Sequence, residues 1–215
     1  MVSVILVMAG RGTRMGIDKN KILLDLANKP VYMHSLELFL QYNFEIICVI
    51  NKDDENEIVP NLDKRVKYTY GGDTRLMSVF NGLKMATGDY VIVHDAARPV
   101  ISKDIIDEIL LKKDNSDAIL TYLPVKDTIK TNVNNKLTTL DRNILISAVT
   151  PQCAKYDILY KSLNQAINES KNFTDDISAI EFYFNKAKIE LIRANDECIK
   201  LTTMLDYKLL KAIKE

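Results

Sequence analysis

Long hydrophobic runs are missing from this chain of 215 residues. No stretch approaches the roughly 18 apolar residues that mark a membrane-spanning helix. The start has no basic segment leading into a small-residue cleavage site, so no secretory leader is read. Cysteine is scarce: Cys48, Cys153 and Cys198 are far apart and odd in number. That excludes a disulfide framework and metal-ligand spacing, and it points to a reducing compartment. A soluble, cytoplasmic protein is expected. An excess of one charge is also missing, because 29 Lys and Arg balance 29 Asp and Glu. No global field draws nucleic acid or an anionic membrane, so neither is an expected partner and any anion site must be local. Histidine is limited to His34 and His94, and no Ser-His-Asp set is visible. There is no internal repeat. The short acidic run from Asp53 to Glu57 reads as a solvated loop or helix start.

What is present is concentrated at the start, MVSVILVMAGRGTRMGIDKNK. Val2 to Met8 is apolar apart from Ser3 and rich in β-branched residues, which suits a strand buried on both faces. A loop follows with glycines at 10, 12 and 16 and with Arg14, Lys19 and Lys21 packed alongside. Glycine lets a backbone approach a ligand closely. Free N–H groups in such a loop make an anion nest, and the cations add charge, with arginine offering a fork for phosphate oxygens. A polyphosphate site is predicted. It is not a dinucleotide fingerprint, because Met15 stands where the third glycine belongs. It is not a P-loop either, because Ile17 and Asp18 follow Gly16.

Further along, strands are predicted at 45–50, 66–70, 90–94, 117–123 and 188–192. Helices are predicted after Pro30, through Ser78 to Met85, and over 103–112, Lys155–Asn168, Asp175–Asn185 and Leu205–Ile213. Thr174 is read as the N-cap of the helix that starts at Asp175. Alternating strands and helices argue for an α/β fold with a mostly parallel sheet flanked by helices. Such sheets bind ligands at the carboxyl ends of their strands. The glycine loop, Asp73 and Asp95 all follow strand ends. Residues 124–148 break the alternation. DTIKTNV and KLTTLD flank Asn134-Asn135, a hairpin turn signal. With few large apolar residues, this stretch is read as a protruding β-arm resting on a second subunit, since an isolated hairpin is marginal in water.

Several separated segments then agree: AGRGTRMG with Lys21, GGDTRLMSVFNGL, VHDAARP, PVKDTIK, LDRNIL, TPQ, TDDISA and IKLTT. In this order they resemble the 2-C-methyl-D-erythritol 4-phosphate cytidylyltransferase family over nearly the whole chain. The resemblance implies a Rossmann-like nucleotidyltransferase domain over 1–215 with the arm 124–148 inserted, and a homodimer built through that arm. The implied reaction moves CMP from CTP to the sugar-alcohol phosphate and releases pyrophosphate, in isoprenoid precursor synthesis by the non-mevalonate route.

Carried over residue by residue, Ala9, Gly10 and Gly12 supply backbone to the nucleotide. Arg14, Lys21 and Lys200 are the catalytic cations around the phosphates. Gly72, Asp73 and Ser78 recognise cytidine. Asp95, Arg142, Thr150 and Thr174 contact the acceptor phosphate substrate. A divalent cation, Mg2+ or another, is implied, held mainly by the CTP phosphates with Asp95 in its surroundings. The phosphate nucleophile is already an anion, so positioning and charge neutralisation carry catalysis and His94 is read as structural. Arg98 is read either as a substrate contact or as an ion-pair residue. The sequence departs from the family's pattern at Met8, at Asn20 and Ile22 (where Pro and Gln are common) and at Cys198. Two other readings stand beside this one: a cytidylyltransferase for ribitol 5-phosphate or another pentitol phosphate, and a non-catalytic nucleotide-binding regulator.

Overall fold

A computed structural model describes residues 1–10, 12 and 19–214. In chain order its elements are β1 (Val2–Val7), β2 (Asp25–Leu26), β3 (Lys29–Pro30), α1 (Val31–Phe39), β4 (Glu45–Ile50), α2 (Glu55–Ile58), β5 (Val66–Tyr70), α3 (Arg75–Leu83) and β6 (Tyr90–Asp95). Then follow α4 (Lys103–Lys112), β7 (Ala118–Pro124), β8 (Lys130–Val133), β9 (Lys136–Thr139), β10 (Ile146–Lys155), α5 (Tyr156–Asn168), α6 (Asp176–Tyr183), β11 (Ile189–Arg193) and α7 (Met204–Lys214).

Seven strands form one sheet in the order β11-β7-β10-β6-β1-β4-β5. β1 pairs in parallel with both β4 and β6, β4 with β5, and β7 with β11. The sheet is therefore mostly parallel, as predicted. β10 is the exception, antiparallel to β6 and to β7. The chain runs from β1 outward through β4 to β5 and then returns to the other side of β1 as β6. That reversal opens a crevice beyond the carboxyl ends of β1 and β6, where such sheets bind ligands.

The apolar runs of β1 and β4 are explained by burial on both faces. Val4 and Leu6 join one core with Ile46, Cys48 and Ile50, while Ile5 joins the other with Ile47 and Val49. The first core is closed by Leu36 and Phe39 of α1 and Ile106 and Ile109 of α4. The second is closed by Val79 and Leu83 of α3, Leu163 of α5 and Ile180 of α6. Full burial of each such side chain contributes about 1.5–3 kcal/mol. Among the described residues no helix is long and apolar enough to cross a membrane.

The predicted hairpin is present, with β8 and β9 paired only with each other and Asn134 and Asn135 both at positive φ. Two positive-φ residues are what a tight two-residue hairpin turn requires. The base of the predicted arm is corrected. Ile146 pairs with Pro124, so the ends of the 124–148 stretch belong to the main sheet. The strand they open, β10, had no counterpart among the predicted elements. The cap of α6 is corrected too. Asp175, not Thr174, is the N-cap: its side chain accepts from the Ser178 N–H at 2.7 Å, and the Ser178 hydroxyl answers the Asp175 backbone. Lys155 ends β10 rather than beginning α5.

Candidate active site

A cleft of about 740 Å3 lies at the carboxyl ends of the central strands. Ala9, Gly10, Gly12, Lys21, Gly72, Asp73, Ser78, Asp95 and Lys200 all line it. The structure thus brings together nine of the predicted site residues from five separate segments. Arg14 lies outside the described residues, as does Gly16.

The first wall follows β1. Met8, the departure in this segment, is a core residue, and its N–H continues the ladder to the Val49 carbonyl at 2.8 Å. Lys21 opens a short 3-10 turn over Lys21–Leu23, with Asn20 as its cap. Ile22 behind it is buried in the first core, which accounts for an apolar residue there. Gly12 has φ +64°, and a Cβ on it would lie 3.3 Å from the Lys21 backbone nitrogen and Cγ. Gly12 therefore packs directly against Lys21.

The second wall follows β5. A Cβ on Gly71 would sit 2.3 Å from the Ala9 Cβ and 2.9 Å from Ser78 Oγ. Only glycine lets these two loops touch. Ser78 Oγ accepts from the Gly72 N–H at 3.1 Å and donates to the Thr74 carbonyl at 3.0 Å. Thr74 caps α3 by accepting from the Met77 N–H. Asp73 projects from this fixed loop and is exposed.

The floor is the end of β6. Asp95 Oδ2 accepts from Lys200 Nζ at 2.6 Å and Oδ1 accepts from Arg75 Nε at 3.2 Å. The same Arg75 forks onto Asp176 with bonds of 3.0 and 2.9 Å. Burial alone would raise the Asp95 carboxyl, but Arg75 and Lys200 more than reverse it and hold it below the usual carboxylate range. Arg75 is held above its ordinary value: burial opposes its charge, and Asp176 and Asp95 outweigh that. Sequence reasoning missed Arg75 and Asp176 as site residues. The signal available was Arg75 within GGDTRLMSV, two residues beyond Asp73.

Behind Asp95 runs a chain of buried polar groups. Thr150 Oγ1 accepts from the Asp95 N–H at 3.1 Å and donates to His94 Nδ1 at 3.2 Å. His94 Nε2–H is then shared between the Arg98 carbonyl at 3.1 Å and Ser35 Oγ at 3.3 Å. Burial draws the His94 imidazole down to about 4, so it is neutral in this tautomer and supports the site as predicted. Thr150 stands beneath Asp95, with its hydroxyl engaged on both sides. Among the described residues Arg98 makes no ion pair, and its Nη1 donates to the Cys198 carbonyl at 2.8 Å. The Leu201 N–H reaches the Ala97 carbonyl at 2.8 Å. The segment carrying Lys200 is thus stitched to the turn after β6, and Cys198 is buried within it.

Thr150, Thr174 and Arg142 are not among the described residues lining the cleft. Thr174 is exposed just before the Asp175 cap, whose carboxylate also accepts from Gln152 Nε2 at 3.1 Å. Arg142 is exposed beyond β9, with Nη1 on the Lys126 carbonyl at 2.8 Å. Among the described residues, no cluster of three or more His, Cys, Asp or Glu has the arrangement of a metal cage.

A glycine-walled crevice at the carboxyl ends of parallel strands, lined by Lys21 and Lys200, is the architecture of a nucleotidyltransferase. The chain belongs to the 2-C-methyl-D-erythritol 4-phosphate cytidylyltransferase family: the family model "IspD: 2-C-methyl-D-erythritol 4-phosphate cytidylyltransferase" matches residues 2–215. A protein of that name from Haemophilus influenzae (strain PittEE) is 40% identical over 183 residues, covering 82% of this chain and 81% of the relative. One from Clostridium tetani (strain Massachusetts / E88) is 38% identical over 190 residues, covering 83% and 76%. The crystal structure of 4-diphosphocytidyl-2C-methyl-D-erythritolsynthase from Anaerococcus prevotii DSM 20548 superposes with a TM-score of 0.88 at 26% identity, covering 99% of this chain and 97% of that one.

Proposed function

We propose that this protein transfers CMP from CTP to 2-C-methyl-D-erythritol 4-phosphate and releases pyrophosphate, a step of isoprenoid precursor synthesis. The observation that carries the reading is the convergence of Lys21, Lys200 and Asp95 on one glycine-walled cleft in a chain of this family. An acceptor phosphate oxygen attacks the α-phosphorus of CTP, and the bond to the β-phosphate oxygen breaks. The nucleophile is anionic already, so the site needs no base. This suits a neutral, buried His94 held by the Thr150 and Ser35 hydroxyls and the Arg98 carbonyl.

Two polyanions must meet, and the work of the protein is to neutralise and align them. Lys21 and Lys200 take that role, with Arg14 as the third cation. The backbone of Ala9, Gly10 and Gly12 seats the triphosphate. Gly72, Asp73 and Ser78 face the cytosine, whose amine needs an acceptor and whose carbonyl needs a donor. Asp95, Thr150 and Thr174 serve the acceptor side.

A divalent cation, Mg2+ or another, fits as a group carried in on the triphosphate rather than caged by protein. Among the described residues the lining offers only the separate carboxylates Asp73 and Asp95. Asp95 would be its protein-side contact, and the cation would supply further neutralisation of the phosphates. A homodimer through the β8–β9 arm belongs to the same reading. Val133, Leu137 and Ile144 on and beside that hairpin are 64%, 65% and 78% exposed, and a second subunit would cover them. Such a protein works in the cytoplasm, where its soluble substrates are.

The test is pyrophosphate release from CTP or UTP with a panel of acceptors. The expected result is turnover with CTP and 2-C-methyl-D-erythritol 4-phosphate, and a strong bias against UTP, whose base reverses donor and acceptor at the pyrimidine 4-position. A mismatched buried polar pair costs about 1–3 kcal/mol. Turnover with ribitol 5-phosphate instead would move the acceptor assignment, and no turnover with any acceptor would overturn the enzyme reading.

A further inference from the structure

Asn20 is 6% exposed, and every polar atom of its side chain is used. Nδ2 donates to Asp54 Oδ2 at 2.6 Å and to the Met8 carbonyl at 3.3 Å, while Oδ1 accepts from the Ile22 N–H at 3.3 Å. The orientation of the amide is fixed by chemistry. Turned over, it would set oxygen against a carboxylate and a carbonyl, and nitrogen against an N–H. Met8 lies just past β1. Asp54 ends the 3-10 turn Lys52–Asp54 that follows β4. One side chain thus ties the segment beside Lys21 to the exits of two neighbouring strands. A second link, Lys19 Nζ to Glu57 Oε2 at 2.6 Å, spans the same two segments at the surface, where such a pair is worth little.

We propose that Asn20 and Asp54 form a clamp that positions Lys21 for the reaction, an inference that rests on the reading of Lys21 as a cation at the reacting phosphate. Lys21 is 8% exposed, so its reach is set by where its backbone is held rather than by a free swing of its stem. The Asn20 carbonyl accepts from the Leu23 N–H at 2.9 Å, closing the turn around Lys21. Asn20 has φ −60° and ψ 126°. That φ is the one a proline ring imposes covalently. Here hydrogen bonds do what a ring does elsewhere, and Asp54 is the strongest of them because its acceptor is charged. Asn20 and Asp54 act through Lys21 and are positioning residues.

The test is steady-state kinetics on the full chain. Lys21→Ala serves as the reference, and thermal unfolding confirms that each variant is folded. Asn20→Ala and Asp54→Ala should each lower kcat about tenfold to a hundredfold, as a small displacement of a catalytic group does. The KM for the sugar-alcohol phosphate should be unchanged. The double variant should be no worse than the poorer single one, because one contact is being removed twice. Asp54→Asn keeps an acceptor oxygen and should retain turnover. Asn20→Pro should retain turnover as well, and should make Asp54→Ala nearly silent in its background.

Singles with normal kcat beside an inactive Lys21→Ala would overturn the clamp while leaving the role of Lys21 intact. Asn20→Pro as impaired as Asn20→Ala would also overturn it, because the backbone angle would not be what matters. A Lys21→Ala enzyme with normal turnover would overturn the reading of Lys21 and the clamp with it.

Discussion

Lys200 Nζ lies 2.6 Å from Asp95 Oδ2, so two residues 105 positions apart in sequence share the floor of one cleft. The other oxygen of that carboxylate is taken by Arg75, which also forks onto Asp176. Two cations and two carboxyl groups from α3, β6, α6 and the segment after β11 are therefore joined as a set, with burial raising the Asp176 carboxyl against the pull of Arg75. The arrangement holds Asp95 still while leaving the lysine on the cleft side.

Removing Arg75 should expose how that set is balanced. Asp176 is 2% exposed and Asp95 7%, so Arg75→Met leaves two buried carboxylates without their shared cation. Breaking one partner out of a buried pair costs about 3–5 kcal/mol. Urea unfolding at neutral pH should show a loss of that order, and Asp176→Asn added to Arg75→Met should recover part of it. Additive losses in the double variant would mean that the two residues do not act as a pair. Asp95 itself gives a pH signature. Its folded value is depressed, so its contribution is complete above about pH 4, where the unfolded carboxylate is ionised too. That contribution is lost progressively as pH falls from there to the folded value below.

His94 titrates in the opposite sense to a catalytic histidine. An unfolded imidazole takes its proton near pH 6.5, and burial draws the folded one down to about 4. Above about pH 6.5 both states are neutral and His94 adds no pH dependence. Between 6.5 and 4 the unfolded state is protonated first, so stability falls by roughly 3 kcal/mol as the solution is acidified through that window. In the variant His94→Asn this part of the slope should disappear, and the stability gap to the parent should narrow over the same interval. NMR of the parent should find the His94 imidazole still neutral at pH 5.5. Protonation of His94 at that pH would contradict the buried relay through Thr150, and a kcat profile following a group near 6.5 would contradict the structural role.

The parts of this site that were legible in the sequence are those that chemistry writes locally. The β-branched runs of β1 and β4 announce strands buried on both faces. The glycines beside Lys21 announce a close backbone approach. Asn134-Asn135 announces a hairpin, and both residues take positive φ. What was not legible depends on distance or on irregularity. β10 was hidden because Pro151 lacks an N–H to give and argues against an interior strand. The structure places it where the β10–β7 register shifts between Val149 and Cys153. The Arg75–Asp176 pair joins residues 101 apart, and no local pattern marks it. Thr174 and Asp175 are both good caps, and what favoured Asp175 was a reciprocal bond with Ser178 rather than the acidic partner usual at that position.

The arm leads to a prediction about where Arg142 works. Its side chain is exposed, its Nη1 rests on the Lys126 carbonyl, and it is absent from the described lining of its own chain's cleft. If Arg142 serves the acceptor phosphate of the neighbouring subunit, each site draws Lys21 from one chain and Arg142 from the other. Arginine suits that task, because its fork binds phosphate bidentately and stays charged at every working pH. Lys21→Ala and Arg142→Ala should each be nearly inactive alone. In a mixed dimer of the two, one site carries both lesions and the other carries none. Mixing should then restore turnover, up to one competent site in each heterodimer. If both residues serve the site of their own subunit, every site in the mixture has a lesion. Subunit exchange verified by mass-tagged chains, with no recovery of turnover, would therefore refute the shared site and leave the arm as a contact between subunits alone.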